Sequence, residues 1–171
     1  MVEHRLRLTG IGEGMRVRVQ TELKGADSPR NVQQALLNLF PDISADEHPN
    51  EPEFGNAIDV VWSHDGVSLG PFLQQLHEQR ILDTALDAMS QSLRENCTRF
   101  AVSRLAAYAG KIAFPIPGES PLGGVLTIEI EGDGLEDWLQ AATWHEGRSQ
   151  VPRAINDDLA MADDGEASTW V

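Results

Sequence analysis

The sequence contains very little cysteine and no long hydrophobic run. Cys97 is the single cysteine among 171 residues, which excludes an intramolecular disulfide framework and is typical of a reducing compartment. Every apolar stretch is interrupted well before the ~18 residues that a membrane-spanning helix needs, and no signal peptide is recognisable. These absences predict a cytoplasmic protein that does not enter a membrane.

Basic residues are also scarce, and lysine is almost missing. The chain has 27 acidic residues against 13 basic ones, a formal net charge of −14, and its only lysines are Lys24 and Lys111. The acidity could simply keep the protein soluble, but an acidic surface poor in lysine favours adaptation to a salt-rich cytoplasm. At molar salt the Debye length is about 3 Å, so short-range contacts would have to hold a charged partner. Net acidity therefore does not exclude a partner that carries phosphate groups.

The alternation of apolar and polar residues predicts the secondary structure. It indicates half-buried strands at residues 15–22, 57–62, 98–102, 111–114 and 126–130. A spacing of three or four indicates helices at 29–39 and 135–142, a long helical region at 70–93 and a short helical turn after Ser103. The predicted fold is α+β, a single domain with a mixed, largely antiparallel sheet and helices packed on one face.

Helix-start signals and composition set the predicted boundaries. Ser28 followed by Pro29 predicts an N-cap and first turn, and residues 133–136 have the pattern of a capping box. Residues 1–14 are predicted to be a flexible arm and residues 15–144 the folded domain. Residues 145–171 are rich in acids and lack periodicity, which predicts a disordered acidic tail.

A local excess of basic residues provides the candidate binding site. Glu95 is the only acid between Ala88 and Gly118, a stretch that contains four basic residues. We call these four the basic cluster: Arg94, Arg99, Arg104 and Lys111. Two further candidates lie on the polar face of the first predicted strand: Arg16 and Arg18. These side chains could contact RNA phosphates and sugars, or they could simply pair with the surrounding acids.

The sequence offers only weak candidates for catalysis. His64, Asp65 and Asp59 could act as acid–base groups, but no nucleophile or phosphate-binding loop accompanies them, and a turn is the simpler interpretation of His64. Cys97 is expected to be an inert thiol.

An acidic, proline-containing loop at residues 41–55 also has residue types that bind metals. Its candidates are Asp46, Glu47, His48 and Glu51. Their spacing matches no known metal-binding loop, so a solvated loop is expected. We predict no catalytic residue, cofactor or metal.

Several motifs in a fixed order resemble those of an archaeal protein family. They are Leu36-x-x-Leu39-Phe40-Pro41, Gln79-Arg80-Ile81-Leu82-Asp83, Phe100, Ala106-Ala107, Gly110-Lys111, Pro121-Leu122-Gly123 and Asp137-Trp138-Leu139. That family is uncharacterised, and its members are predicted to be RNA-binding proteins or exosome subunits; the resemblance implies a fold similar to the ribosomal protein that binds five-S RNA. Where they carry Asn-Lys-Gln-Ala-Ala, this chain has Ser103-Arg104-Leu105-Ala106-Ala107, so Arg104 keeps the positive charge.

The resemblance implies a function in RNA binding. The protein would be an accessory of archaeal RNA processing or of the exosome, with RNA and RNA-processing proteins as partners. Two alternatives remain open: a small-molecule enzyme that uses His64 and Asp65, and a scaffold that contacts only proteins. The oligomeric state is not predicted.

Overall fold

The computed structural model describes residues 8–44, 52–116, 118–153 and 155. Four strands form one sheet: β1 (Arg16–Gly25), β2 (Ile58–Asp65), β3 (Cys97–Ser103) and β4 (Val125–Glu131). Their order is β2-β1-β4-β3, and each neighbouring pair is antiparallel. The predicted α+β fold is confirmed, with a sheet that is antiparallel across all four of these strands.

Within the described residues, five α-helices accompany the sheet. They are α1 (Pro29–Leu39), α2 (Gly70–Glu78), α3 (Leu82–Ser90), α4 (Arg104–Tyr108) and α5 (Leu135–Ala142). Helix α1 packs against α4, and α3 packs against both β3 and α5. Phe72 of α2 joins the helices to the sheet, because its ring centroid lies 5.6 Å from that of Phe40 and 6.3 Å from that of Phe100. No helix in the described part of the chain is long and apolar enough to cross a membrane.

The hydrophobic core lies between the helices and one face of the sheet. Along β1 the buried side chains alternate with exposed or partly exposed ones, as the period of two in the sequence predicts. Val19 of β1 and Ile128 of β4 face each other across the strands, and both are fully buried. The core therefore occupies one side of the sheet and leaves the polar residues of β1 and β4 on the other.

Two short hydroxyl side chains begin helices. Ser28 accepts a hydrogen bond from the backbone N–H of Asn31 at 3.3 Å, and Pro29 occupies the first turn of α1, as predicted. Ser103 accepts from the N–H of Ala106 at 3.2 Å and begins α4 directly after β3. At α5 the predicted capping box is wrong, since the N-cap is Gly134 in a left-handed conformation without a side-chain hydrogen bond.

The predicted long helical region is divided in two. Arg80 lies between α2 and α3 with φ +60°, a conformation that non-glycine residues rarely adopt and that ends a helix. The Gln79 side chain fixes the break, because it accepts from the N–H of Ile112 at 2.9 Å and donates to the Ile112 carbonyl at 3.0 Å. Contact with a distant segment therefore overrides the local helical pattern.

The predicted strand at residues 111–114 is not part of the sheet. This segment forms no regular secondary structure, and its Ala113 carbonyl accepts one hydrogen bond from the N–H of Ser103 at 2.8 Å. Phe114 packs beside Phe100 with a ring-centroid distance of 6.4 Å. The segment thus covers the end of β3 without pairing along it.

Packed residues also occur outside the predicted boundaries of the domain. The carbonyl of Thr9 accepts a hydrogen bond from the N–H of Leu69 at 2.9 Å, within the segment predicted as an arm. After α5, a short 3-10 helix (Glu146–Ser149) places Arg148 in a buried position, within the segment predicted as a tail. The folded unit is therefore larger than residues 15–144.

Candidate functional site

One face of the sheet is not covered by any helix of the described chain. We call it the open face, and its side chains alternate with those of the core. They come from β1 (Arg16, Arg18, Gln20, Glu22, Lys24), β2 (Asp59, Val61, Ser63, Asp65), β3 (Cys97, Arg99, Ala101, Ser103) and β4 (Val125, Thr127, Glu129, Glu131). None of these side chains is aromatic. The open face is therefore a polar platform without a surface for stacking bases.

The strand register arranges the charges of the open face in alternating rows. One row across the four strands reads Asp65, Arg18, Glu129 and Arg99. Directly paired side chains in such a sheet lie about 5 Å apart at Cβ, so each guanidinium has a carboxylate neighbour. Sequence alone did not reveal this, because β4 is distant from the basic cluster along the chain.

Arg18 and Asp65 form the closest ion pair of this row. The Arg18 Nε atom lies 2.7 Å from an Asp65 carboxylate oxygen. This hydrogen bond, together with the negative charge of Asp65, raises the pKa of Arg18. Both side chains remain largely exposed, so the pair orients Arg18 on the surface and contributes little to stability.

Arg16, Glu131 and Cys97 form the neighbouring row. Burial raises the pKa of the Cys97 thiol, and the carboxylates of Glu129 and Glu131 raise it further. A raised pKa disfavours the reactive thiolate. Both effects disfavour reactivity at Cys97, and its inertness stays a prediction.

A polar groove of about 740 Å³ runs along part of the open face. Arg99 and Lys24 line it, with Gln20 and Thr127 between them and the backbone of Gly123 and Gly124 on one side. Lys24 was not among the predicted site residues, although it continues the polar alternation of β1. Its ammonium lies 2.9 Å from the Glu22 carboxylate, which raises the pKa of Lys24 through a hydrogen bond and through charge.

Arg104 was predicted to contact RNA, and in the structure its side chain is buried at one side of the groove and used in structural bonds, so contact with RNA stays a prediction. The side chain is only 7% exposed and its Nη2 atom lies 2.9 Å from a carboxylate oxygen of Asp27. Its other donors bond to the Gly123 carbonyl at 2.6 Å, the Glu22 carbonyl at 2.7 Å and the Thr21 hydroxyl at 2.9 Å. Arg104 is thus a structural clamp that joins α4, β1 and the loop before β4.

The other members of the basic cluster do not lie together. Arg94 is exposed in a tight turn, where its backbone exchanges two hydrogen bonds with Cys97 before β3 begins. Lys111 is exposed beyond α4, in a segment that α2 holds through a hydrogen bond from Gln75 to the Gly110 carbonyl at 2.6 Å. The seven residues of β3 separate Arg94 from Lys111 by roughly 20 Å. Of the basic cluster, only Arg99 belongs to the open face. Arg16 and Arg18 lie there with it.

The residues suggested for an enzyme are divided between the two faces of the sheet. Asp59 and Asp65 belong to the open face, while His64 alternates with them and faces the other side. They therefore cannot form an acid–base pair. The described residues include no group of three or more histidine, cysteine, aspartate or glutamate side chains that could hold a metal ion. The suggested metal ligands of the acidic loop lie outside the described residues.

A second polar cluster joins α3 to the chain beyond α5. Asp83 lies 2.9 Å from both Arg148 Nε and His145 Nε2. Burial acts to raise the pKa of Asp83, but the hydrogen bonds from His145 and Arg148 outweigh it, and the net shift is downward. Because Arg148 is itself buried and also bonds to Thr143 at 3.0 Å, the cluster serves to anchor the chain.

The architecture defines a small α+β domain with one open face on an antiparallel sheet, and comparisons with known proteins identify its family. No family model matches the sequence. A UPF0201 protein of Sulfurisphaera tokodaii is 36% identical over 129 residues, which cover 73% of this chain and 86% of that protein. One from Methanothermobacter thermautotrophicus is 30% identical over 127 residues, 72% of this chain and 89% of the relative. The chain therefore belongs to the archaeal UPF0201 family.

Solved structures share the fold. The crystal structure of a UPF0201 protein from Methanococcus jannaschii aligns with a TM-score of 0.61 and 24% identity, covering 75% of this chain and 99% of that one. Mth689, a DUF54 protein from Methanothermobacter thermautotrophicus, aligns with a TM-score of 0.50 and 16% identity over 80% of this chain and 96% of its own. The predicted membership of an archaeal family is confirmed. These names mention neither RNA nor the exosome, so they support the fold and not a function.

Proposed function

We propose that this domain binds structured RNA and holds its phosphate groups on the open face. The observation that supports the proposal is the position of Arg16, Arg18 and Arg99, which occupy two adjacent rows of a sheet face that no helix of the described residues covers. The fork of a guanidinium matches the geometry of a phosphate group. Three such forks on one flat surface form a short track for an RNA backbone.

The groove beside Arg99 extends this track. It brings Lys24 to the same side as Arg99 and offers neutral polar groups, Gln20 and Thr127, to sugar hydroxyls. Single-stranded RNA is usually held by bases stacked on aromatic side chains, and the open face has none. The proposed ligand is therefore RNA recognised by its shape and backbone, and discrimination between base sequences is expected to be small.

The carboxylates of the open face determine the conditions for binding. Glu129 and Glu131 compete with phosphate for the arginines, and the net charge of −14 repels RNA at long range. In concentrated salt that repulsion is screened within about 3 Å, while direct contacts persist. Three phosphate contacts correspond to a slope of only about −2 to −3 in log affinity against log salt concentration. Binding should therefore survive high salt better than that of a strongly basic protein.

The decisive experiment is a fluorescence titration of the whole protein with structured RNA across a potassium chloride series. We expect the double variant Arg16→Glu/Arg99→Glu to bind at least about a hundredfold more weakly to every RNA tested, because each of the two lost charge-assisted contacts is worth about 1.5 kcal/mol or more. The matched control is the double variant Arg30→Glu/Arg80→Glu, which makes the same charge change at two exposed positions outside the open face. Equal affinity of the double variant and the parent protein would refute the proposed surface.

The wider role in RNA processing or with the exosome needs a separate test. A pull-down from native extract in high salt should recover RNA-processing proteins, and ribonuclease treatment should remove them if RNA forms the link. Recovery of the same partners after ribonuclease treatment would instead favour a scaffold that contacts only proteins. The enzyme alternative has no comparable support, because His64 and Asp65 face opposite sides of β2.

A further inference from the structure

Strand β2 forms an edge of the sheet. One side of it pairs with β1 over eight residue pairs, from Arg18–Asp65 to Gly25–Ile58, and no other strand of the described chain pairs with the second side. The opposite edge, β3, is partly covered by Ala113 and Phe114. The unpaired N–H and C=O groups of β2 therefore form the more accessible edge.

The side chains of β2 are unusually apolar for an exposed edge. Ile58, Val60 and Trp62 face the core side but are only partly buried, whereas core residues of β1 and β4 such as Val19 are fully buried. On the open face, Val61 is 56% exposed. Edge strands usually carry a charge or proline near their centre that prevents pairing, and β2 has neither between Asp59 and Asp65.

We propose that β2 pairs with β2 of a second copy of this chain, antiparallel and about a two-fold axis perpendicular to the sheet. Two four-stranded sheets would become one continuous sheet of eight strands. Such an axis keeps the open faces of the two copies on the same side. The proposal does not depend on RNA binding.

Charge and side-chain matching select one register. When Val61 faces Val61 of the second copy, Val60 faces Trp62, and Asp59 faces the neutral Ser63. A shift to Trp62 facing Trp62 would place Asp59 opposite Asp65, and like charges directly opposite each other destabilise a sheet. A shift to Val60 facing Val60 would place the charged Asp59 opposite the apolar Val61. The register centred on Val61 therefore joins apolar side chains without opposing two acids. This self-complementarity identifies a second copy as the partner.

Sedimentation equilibrium of the whole protein in high potassium chloride tests the dimer. We expect the parent protein to have twice the mass of one chain at high concentration and to dissociate on dilution. Val61→Lys should be monomeric at every concentration, since it places two ammonium groups opposite each other at a side chain that is exposed within one copy. Ser63→Lys is the matched control, because it adds the same charge to the same strand but opposite Asp59, and it should remain dimeric. A monomeric parent protein, or a dimeric Val61→Lys variant, would overturn the proposal.

Disulfide formation tests the register directly. In a Cys97→Ser background, Val61→Cys should form a covalent dimer under mild oxidation, because directly opposed Cβ atoms lie about 4.5–5.5 Å apart. Ser63→Cys should not, since the two cysteines would be offset by four residues, roughly 13 Å. Efficient crosslinking of both variants, or of neither, would exclude the register centred on Val61.

Discussion

Replacement of Arg104 by methionine should destabilise the domain severely. The guanidinium donates four hydrogen bonds of 2.6–2.9 Å, to Gly123, Thr21, Glu22 and Asp27. Methionine keeps the aliphatic volume but leaves all four acceptors without this donor. Two of them are backbone carbonyls, which cannot move away without disturbing β1 or the loop before β4.

The cost can be derived from the burial of the two charges. Loss of one partner of a buried ion pair typically costs about 3–5 kcal/mol, because the other charge is left uncompensated. Asp27 is 30% exposed and can regain some hydration, whereas Arg104 is almost fully buried. We therefore expect a loss of about 3 kcal/mol, near the lower end of that range. For a protein of this size it lowers the melting temperature by roughly 6–12 °C.

Urea unfolding monitored by circular dichroism in high potassium chloride measures this effect. Arg99→Met is the matched control, because it removes the same group from an exposed position on the open face and should change stability by less than about 0.5 kcal/mol. Asp27→Asn and the double variant Arg104→Met/Asp27→Asn complete a double-mutant cycle that isolates the ion pair. A loss below about 1 kcal/mol for Arg104→Met would refute the role of Arg104 as a clamp.

Three further predictions concern backbone packing, pH and salt. Gly132→Ala should prevent stable folding or reduce the melting temperature sharply, since its Cβ would lie 2.5 Å from the Gly14 carbonyl oxygen. The control in thermal unfolding is Gly12→Ala, because an added Cβ at Gly12 meets nothing within 4 Å while the backbone there has a strained φ of +79°. The comparison separates the effect of the clash from the effect of backbone strain. The pKa of Asp83 is lowered on folding, so its pairing stabilises the protein above the ordinary aspartate pKa of about 3.9 and is lost as the pH falls through the folded pKa. The difference in stability between the parent protein and Asp83→Asn should accordingly shrink below about pH 4 in urea titrations, and a constant difference would contradict this reasoning. The melting temperature should rise with potassium chloride because the chain has 27 acids against 13 bases and salt screens the repulsion among the excess negative charges; a flat or falling curve would remove the argument for adaptation to salt.

The parts of the fold that depend on local periodicity could be predicted from the sequence. The alternation in β1 and β4 identifies their buried residues, because successive side chains of a strand point to opposite faces. Ser28 and Pro29 identify the start of α1, because an N-cap satisfies backbone groups only a few residues away. The same alternation correctly places Arg16 and Arg18 on the face opposite the core, although their contact with RNA stays a prediction.

Features that depend on distant contacts could not be predicted in this way. Arg104 bonds to groups that are 77–83 residues earlier in the chain, and nothing near it indicates a buried site. The break at Arg80 is held by Gln79 with a partner 33 residues away. Arg148 is buried and donates a hydrogen bond to Asp83, 65 residues away, although the sequence around Arg148 has the composition of a disordered tail.

The charge pattern of the candidate site also depends on contacts that are distant in the sequence, and it determines what RNA binding would require. The stretch around Arg99 is basic along the chain, but β4 places Glu129 directly beside Arg99, and Glu131 beside Arg16. The excess of positive charge in sequence becomes an alternation of charges in space. A phosphate group that contacts these arginines must therefore compete with a neighbouring carboxylate, so the affinity depends on the balance between attraction by the arginines and repulsion by the carboxylates. A backbone of regularly spaced phosphates can make several such contacts at once, so we expect an extended polyanion to bind the open face better than a small anion does.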